Sequence, residues 1–159
     1  MASEHEKLGE LIEGAEIALV TTVEPDGTLH TRPLATLEYA DDGYLWFFTS
    51  LDSAKVDELA QDMRVSVAYA NNDDHAYVAV AGTGEVLQDR AKAEELWTPM
   101  AKAWFPDGLD DPKLALLRVQ VERAEYWTSP GKAAYVFGVA KAAMTGKPTN
   151  VGENRKLTM

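Results

Sequence analysis

The run Phe47-Phe48-Thr49-Ser50-Leu51-Asp52-Ser53-Ala54-Lys55 gathers the residues of this chain best suited to holding an anion. An aromatic, strand-like stretch ends there. Three hydroxyls (Thr49, Ser50 and Ser53) follow within five positions, and Lys55 falls in the first turn of a helix expected over Ser53–Gln61. Backbone N–H groups at a helix start are unpaired and carry positive partial charge. Hydroxyls and one ammonium placed there suit a phosphate group. Ordinary helix capping, with Asp52 or Ser53 as N-cap and Lys55 in solvent, accounts for the same residues equally well.

Arg32, in Thr31-Arg32-Pro33, is the only cation of a strand expected over Thr28–Tyr39. If the strands around it pair as a meander, Arg32 lies beside Thr49 and reaches the same anion. An outward-facing surface arginine is the alternative. Other motifs fail. Gly82-Thr83-Gly84 has Leu87 where a dinucleotide fingerprint needs its third glycine, and it lies within a strand. Gly146-Lys147 is followed by Pro148, and no Gly-X-Ser-X-Gly occurs. Glu94, Glu95, Asp107, Asp110 and Asp111 read as a solvated helix face and an acidic loop.

The bulk properties narrow the ligand. The 159 residues suit one domain, and a hydrophobic fraction of 46% supports a sizeable core. A net charge of -11 argues against nucleic acid and against an anionic membrane surface, so an anion must be held by a few local cations. With no cysteine, thiol chemistry and cysteine-ligated zinc fall away, and His5, His30 and His75 lack metal-ligand spacing. No run of 18 apolar residues occurs, and the polar stretch Met1 to Lys7 is unlike a secretory signal, so a cytoplasmic protein is expected.

The elements follow from periodicity. Leu8, Leu11 and Ile12 mark a helix over Glu4–Ala15, with Ser3 and Glu6 as a capping box and Gly14 as a stop. Ile17–Val23, Thr28–Tyr39 and Tyr44–Ser50 read as a three-strand antiparallel meander. Its turns are Pro25-Asp26-Gly27 and Asp41-Asp42-Gly43. Val56, Leu59 and Ala60 are expected on the buried face of the next helix. Val65–Ala70 and Tyr77–Leu87 are strands, the second bulged at Gly82 and Gly84. Asp89–Trp104 is expected as one helix with Trp97 and Trp104 on a common face. A long strand over Leu114–Trp127, a helix over Lys132–Met144 and an irregular tail complete the chain. Six short antiparallel strands with interspersed helices indicate a closed or split barrel.

Arg32-Pro33-Leu34 together with Phe48 to Lys55 resembles the flavin-binding signature of the pyridoxamine 5′-phosphate oxidase-like split barrels. The resemblance is strongest to their bacterial general stress protein branch. Ala81-Gly82-Thr83-Gly84-Glu85-Val86, the loop Trp104 to Pro112, and Glu125-Tyr126-Trp127-Thr128-Ser129-Pro130-Gly131 extend it over nearly the whole chain. The resemblance implies a mainly β, six-stranded antiparallel split barrel in one domain over residues 1–159. It implies FMN, with FAD as the alternative, bound at the interface of a homodimer. Arg32, Ser53 and Lys55 would hold the phosphate and ribityl chain. Pro33, Leu34, Phe48 and Thr49 would border the isoalloxazine, with Ser50 in the same cofactor-binding set. Tyr77 stands where the oxidase has a flavin-contacting glutamine. Trp127 matches a tryptophan that touches the flavin of the other subunit, a strand-end core aromatic being the alternative.

The departures are specific. Ala54-Lys55 replaces two basic residues, Leu37 stands where the oxidase has a substrate lysine, and Lys132-Ala133-Ala134 replaces an Arg-Leu-His segment. A vitamin phosphate loses its cations, so true pyridoxamine 5′-phosphate oxidation is not expected. The leading expectation is a flavin-dependent oxidoreductase with an unknown small-molecule redox partner. A non-catalytic flavin carrier, sensor or scavenger is the alternative. A ligand-free structural dimer, or a barrel holding deazaflavin or haem, is the third reading. Haem is disfavoured because no histidine is expected in the pocket-forming segments.

Overall fold

An extended stretch that divides into two strands, one at each end of one sheet, shapes this fold. The computed structural model describes residues 3–40, 42–129, 132–148 and 152–159, and of 132–135 the backbone alone. Helix α1 (Glu4–Ala15) opens the chain under the expected capping box, in which Ser3 Oγ accepts from Glu6 N–H and the Glu6 carboxylate accepts from Ser3 N–H. Strands β1 (Ile17–Val23) and β2 (Leu29–Ala35) form an antiparallel hairpin. Asp26 closes its turn by accepting from Thr28 N–H, and Gly27 takes the left-handed φ of 88° that a side chain would resist. Then come β3 (Glu38–Tyr39), β4 (Tyr44–Ser50), α2 (Ala54–Gln61), β5 (Arg64–Asn71) and β6 (Ala76–Leu87). Helix α3 (Arg90–Leu96), β7 (Leu114–Thr128), α4 (Lys132–Thr145) and β8 (Glu153–Thr158) complete the order.

The sheet runs β2-β1-β5-β6-β7-β4-β3, with β8 on β7. Consecutive strands β2 and β3 therefore lie at opposite ends of it. Thr36 and Leu37 carry the chain across: Thr36 N–H donates to Glu16 C=O at 3.0 Å and Leu37 N–H donates to Trp46 C=O at 2.9 Å. That bridge closes a split antiparallel barrel, as expected. The single strand expected over Thr28–Tyr39 is thus two. The expected meander does not form, because β4 pairs with β3 and β7 rather than with β2.

Three further expectations need correction. Among the described residues there are eight strands rather than six, and the irregular tail contains β8, which pairs from Thr128↔Glu153 to Arg123↔Thr158. The helix expected over Asp89–Trp104 ends at Leu96. Pro99 lacks an N–H and biases Thr98 to extended backbone (ψ 152°), so a 3₁₀ turn over Pro99–Ala103 follows. Trp97 and Trp104 consequently share no helix face. Of the second expected turn, Asp41 lies outside the described residues; Gly43 takes φ 86°.

The barrel interior is filled by Leu8, Ile12, Val20, Phe47, Val67 and Leu117 among others, each under 3% exposed. A second apolar cluster, with Trp46, Leu96, Phe105 and Leu116, lies between the outer side of β4–β7 and the α3 segment. Among the described residues, no helix is long and apolar enough to cross a membrane.

The expected bulge is present between Ala81 and Gly82, where a Cβ on Gly82 would collide with the backbone oxygen of Gln120. Gly82→Ala should therefore destabilise the protein by roughly 1–3 kcal/mol, or more if β7 cannot shift. Gly14→Ala in α1, whose Cβ meets only Asn71 Nδ2 at 3.7 Å, should be neutral or stabilising. Paired urea denaturation curves check both.

Candidate functional site

The start of α2 and the middle of β2 meet in a cluster of charges. On β2, alternation turns His30, Arg32 and Leu34 inward and leaves Thr31, Pro33 and Ala35 exposed. Arg32 is only 15% exposed at its side chain and donates to Glu58 Oε2 at 2.9 Å and to Thr22 Oγ1 at 2.7 Å. Thr22 also donates to Glu58, and His30 Nδ1 lies 3.1 Å from Glu58 Oε1. Burial opposes the Glu58 charge. The hydrogen bonds from Thr22, His30 and Arg32, with the Arg32 charge, outweigh it and hold that carboxyl at about 2.

Lys55 is buried on the same helix face, three residues before Glu58. Its Nζ donates to Ser53 Oγ at 2.7 Å and forms no ion pair among the described residues. Burial, then the neighbouring Arg32 charge, pull this ammonium down to about 8 against the partial support of Glu58. Ser53 is the N-cap of α2, but its hydroxyl does not cap the helix; it turns to Lys55 instead. The expectation of plain capping with Lys55 in solvent is thereby overturned. On β4, shortly before α2 in the chain, Thr49 is buried and its Oγ1 has no hydrogen-bond partner. A desolvated ammonium without a counter-ion, an uncapped helix start and an unanswered hydroxyl fit a phosphate-bearing ligand.

The expected residues divide between two places. Arg32, Ser53 and Lys55 come together, though not by the expected route, since β2 does not lie alongside β4. Leu34 packs on the barrel core, and Phe48 packs edge-on against Trp97 and Phe105. Ser50 is half-buried and its Oγ accepts from Asp52 N–H. Tyr77 and Trp127 are direct cross-strand partners, 36% and 39% exposed on the outer sheet face, so the core reading of Trp127 fails. Strands β1 and β5 separate them from Arg32. Pro33 faces outward too, beside Leu19.

Sequence reading missed Glu58, Thr22 and His30. The face expected to be buried on α2 was Val56, Leu59 and Ala60, whereas Lys55, Glu58 and Leu59 are buried and Ala60 is exposed. The available signal was the i, i+3, i+4 spacing of Lys55, Glu58 and Leu59. His30 adjoins Arg32 Nη2 at 2.8 Å, so a histidine does stand in this segment. Glu24, His30 and Glu58 bring ligand-type atoms within 4.8 Å of one another, but the Arg32 guanidinium on Glu58 opposes a second cation there. Pro130 and Gly131 lie outside the described residues, as do the side chains at Lys132-Ala133-Ala134.

Comparison with known proteins agrees with this architecture. Residues 3–150 match the family model described as Pyridoxamine 5′-phosphate oxidase like. The chain is similar to the general stress FMN/FAD binding protein of Xanthomonas citri, with 31% identity, a TM-score of 0.66 and coverage of 78% of this chain and 87% of that one. It shares its fold with a Clostridium acetobutylicum protein related to general stress protein 26 (21% identity, TM-score 0.72, 98% and 94% covered). The same holds for general stress protein 26 of Bacillus anthracis (22%, 0.68, 77% and 92%). No curated protein matches.

Glu58 gives a pH prediction. Its folded pKa lies below the unfolded value, so its contribution is complete above about 4.5 and is lost as pH falls toward about 2. That window corresponds to roughly 3 kcal/mol. Glu58→Gln should lower stability at neutral pH and flatten this acid limb, as read from thermal melts across pH 2–6. A variant that keeps the wild-type slope contradicts the role given to Glu58.

Proposed function

The chain belongs to the pyridoxamine 5′-phosphate oxidase-like family, and on that premise we propose that it binds FMN as a cytoplasmic homodimer and acts as a flavin-dependent oxidoreductase of the general stress branch. The observation that carries the reading is Lys55: a buried ammonium at a helix start, without a carboxylate partner among the described residues. Arg32, Ser53 and Lys55 would hold the phosphate, and Thr49 would offer its unanswered hydroxyl to the bound group. When bound, the flavin supplies hydride and single-electron chemistry of its own. The chain's contribution is to hold and orient. Glu58 fixes the Arg32 guanidinium from behind, and Thr22 fixes it from the side. Phe48, Trp97 and Phe105 form the apolar wall that keeps water from that end of β4.

The homodimer is supported by the outer sheet face. Pro33, Leu19, Ala68 and Ala79 form one cross-strand row, which ends at Glu125 on β7. Ile17, Ala70, Tyr77 and Trp127 lie in the next. Small and apolar side chains in register leave a flat surface suited to a second copy. In such a pair, Tyr77 and Trp127 would serve the other subunit's site, which explains their distance from Arg32. Leu37, at the position of the oxidase's substrate lysine, supports a substrate other than a vitamin phosphate. A flavin carrier without turnover is the second reading, favoured by a site whose assembled side chains all bind or orient.

The visible spectrum of the purified protein, followed by titration with FMN, FAD and riboflavin, tests the proposal. FMN should bind far more tightly than riboflavin, which lacks the phosphate. Lys55→Ala and Arg32→Ala should each weaken FMN by roughly 1.5–3 kcal/mol. No flavin binding in any form sinks the reading. Steady-state oxidation of NAD(P)H by the loaded protein separates enzyme from carrier.

The lowered Lys55 pKa adds a signature. Lys55 is partly neutral above pH 8 in the free protein, and an incoming phosphate must recharge it. Calorimetry at pH 8.5–9 in buffers of different ionisation enthalpy should therefore show proton uptake on FMN binding. Lys55→Arg, which does not titrate there, should abolish it.

A further inference from the structure

Helix α4 is out of keeping with its position. At their described positions, Val136, Phe137 and Met144 are 60%, 71% and 87% exposed. Helical spacing puts Val136, Phe137, Ala140 and Met144 opposite the side that carries Gly138 and Ala142. Gly138 is buried and Ala142 half-buried, so the small residues are covered and the large ones are not. A helix this apolar normally belongs inside a core. It is also a local reversal of charge. Residues 132–148 contain Lys132, Lys141 and Lys147 and no acidic residue, in a chain of net charge -11.

The complementary surface lies on the same chain. A groove of about 900 Å³ runs between α1 and β3. Ile12, Leu37, Tyr39 and Leu96 give it apolar lining, and Glu6, Glu10, Glu13 and Glu16 line its α1 side with Glu38 opposite. Glu10, Glu13 and Glu16 have no ion-pair partner among the described residues. Helix α1 has 12 residues and α4 has 14, so they span about 18 and about 21 Å, matched lengths for a helix laid along a helix-walled groove.

α4 cannot readily fill that groove in its own chain. The pairing Thr128↔Glu153 pins both ends of the excursion that contains it to one place on the sheet edge. No described residue of α4 lines the groove. A second copy is not so constrained. We propose that α4 is an exchange arm, whose apolar face docks in the α1–β3 groove of a second copy of this chain, with Lys141 against the glutamates of the groove wall. This rests on the proposed self-association and gives it a second contact, separate from the flat sheet face. It also places the arm over Leu37 of the other copy, in the wall of that groove.

The cysteine-free chain allows a direct test. Phe137→Cys on one chain is mixed with Glu6→Cys, Glu10→Cys or Glu13→Cys on another, and oxidised dimers are read on non-reducing gels. The groove positions lie on successive turns, so one register should give a covalent heterodimer and the others markedly less. Independently, Phe137→Asp with Met144→Asp should raise the dimer dissociation constant at least about tenfold by analytical ultracentrifugation, with helix content unchanged. Dimers that persist without a cross-link at any register overturn the arm but leave the sheet-face dimer intact. A monomer in every variant, wild type included, removes both readings. Cross-linking confined to single chains that carry both cysteines shows docking in cis and overturns the proposal. So does an unchanged dimer whose α4 variants lose binding to phosphatidylglycerol vesicles. Flavin absorbance recorded on the same samples keeps failure of the arm distinct from failure of cofactor binding.

Discussion

Two cations, Lys55 buried and Arg32 nearly so, lie near a single buried carboxylate at the start of α2, and the arrangement around it follows from that imbalance. Glu58 answers Arg32 directly and Lys55 only at a distance. In low dielectric an unanswered ammonium is costly, and the depressed Lys55 pKa is the local expression of that cost. Burial of Lys55 beside Leu59 is therefore poor design for stability and good design for an anion site. The same logic explains why Ser53 gives up its role as a cap. A hydroxyl that bonded the first-turn N–H groups would leave the Lys55 ammonium without its Ser53 acceptor, and those N–H groups would no longer be open to an anion.

The cluster depends in turn on how the barrel closes. Arg32 reaches Glu58 because β2 pairs with β1, which also carries Thr22. Had β2 paired with β4, as a meander would have it, Arg32 would lose its place across from Val20 and within reach of Thr22. The crossing at Thr36–Leu37 sends β2 to one edge and β3 to the other. A two-residue bridge thus decides which side chains surround α2. It also sets Leu37 in the wall of the groove beside α1, packed against the second apolar cluster.

Much of this was legible in the sequence, and the misses have physical causes. Ile17–Val23 and Tyr44–Ser50 emerge at their full lengths because β-branched or aromatic residues end at glycine turns or a change of period. Arg32 and Lys55 stood out as cations in a chain otherwise rich in carboxylates. Glu58 did not, because periodicity assigns charged residues to solvent and cannot foresee a charge buried against another charge. The break of Thr28–Tyr39 was hidden since both halves are extended and only long-range pairing separates them. Strand β8, with Arg155 and Lys156, has too little apolar alternation to declare itself; only Leu157 is buried in it. Pro99, by contrast, was a readable stop that the apolar spacing of the tryptophans masked.

Charge distribution carries the argument one step further. In an acidic chain an anion must be held by the few cations free to act, and several of those described here are already committed: Arg64 to Asp62, Arg90 to Glu94 and Asp110, Lys92 to Glu38 and Glu95, Lys113 to Asp52. Such exposed pairs contribute little stability each, yet they remove those cations from competition for a ligand. Among the described cations without an ion pair, Lys55 is the buried one, and Lys141 and Lys147 stand on the segment around α4. A small anion would answer the first, and on the proposed exchange the acidic groove of a second copy would answer the second.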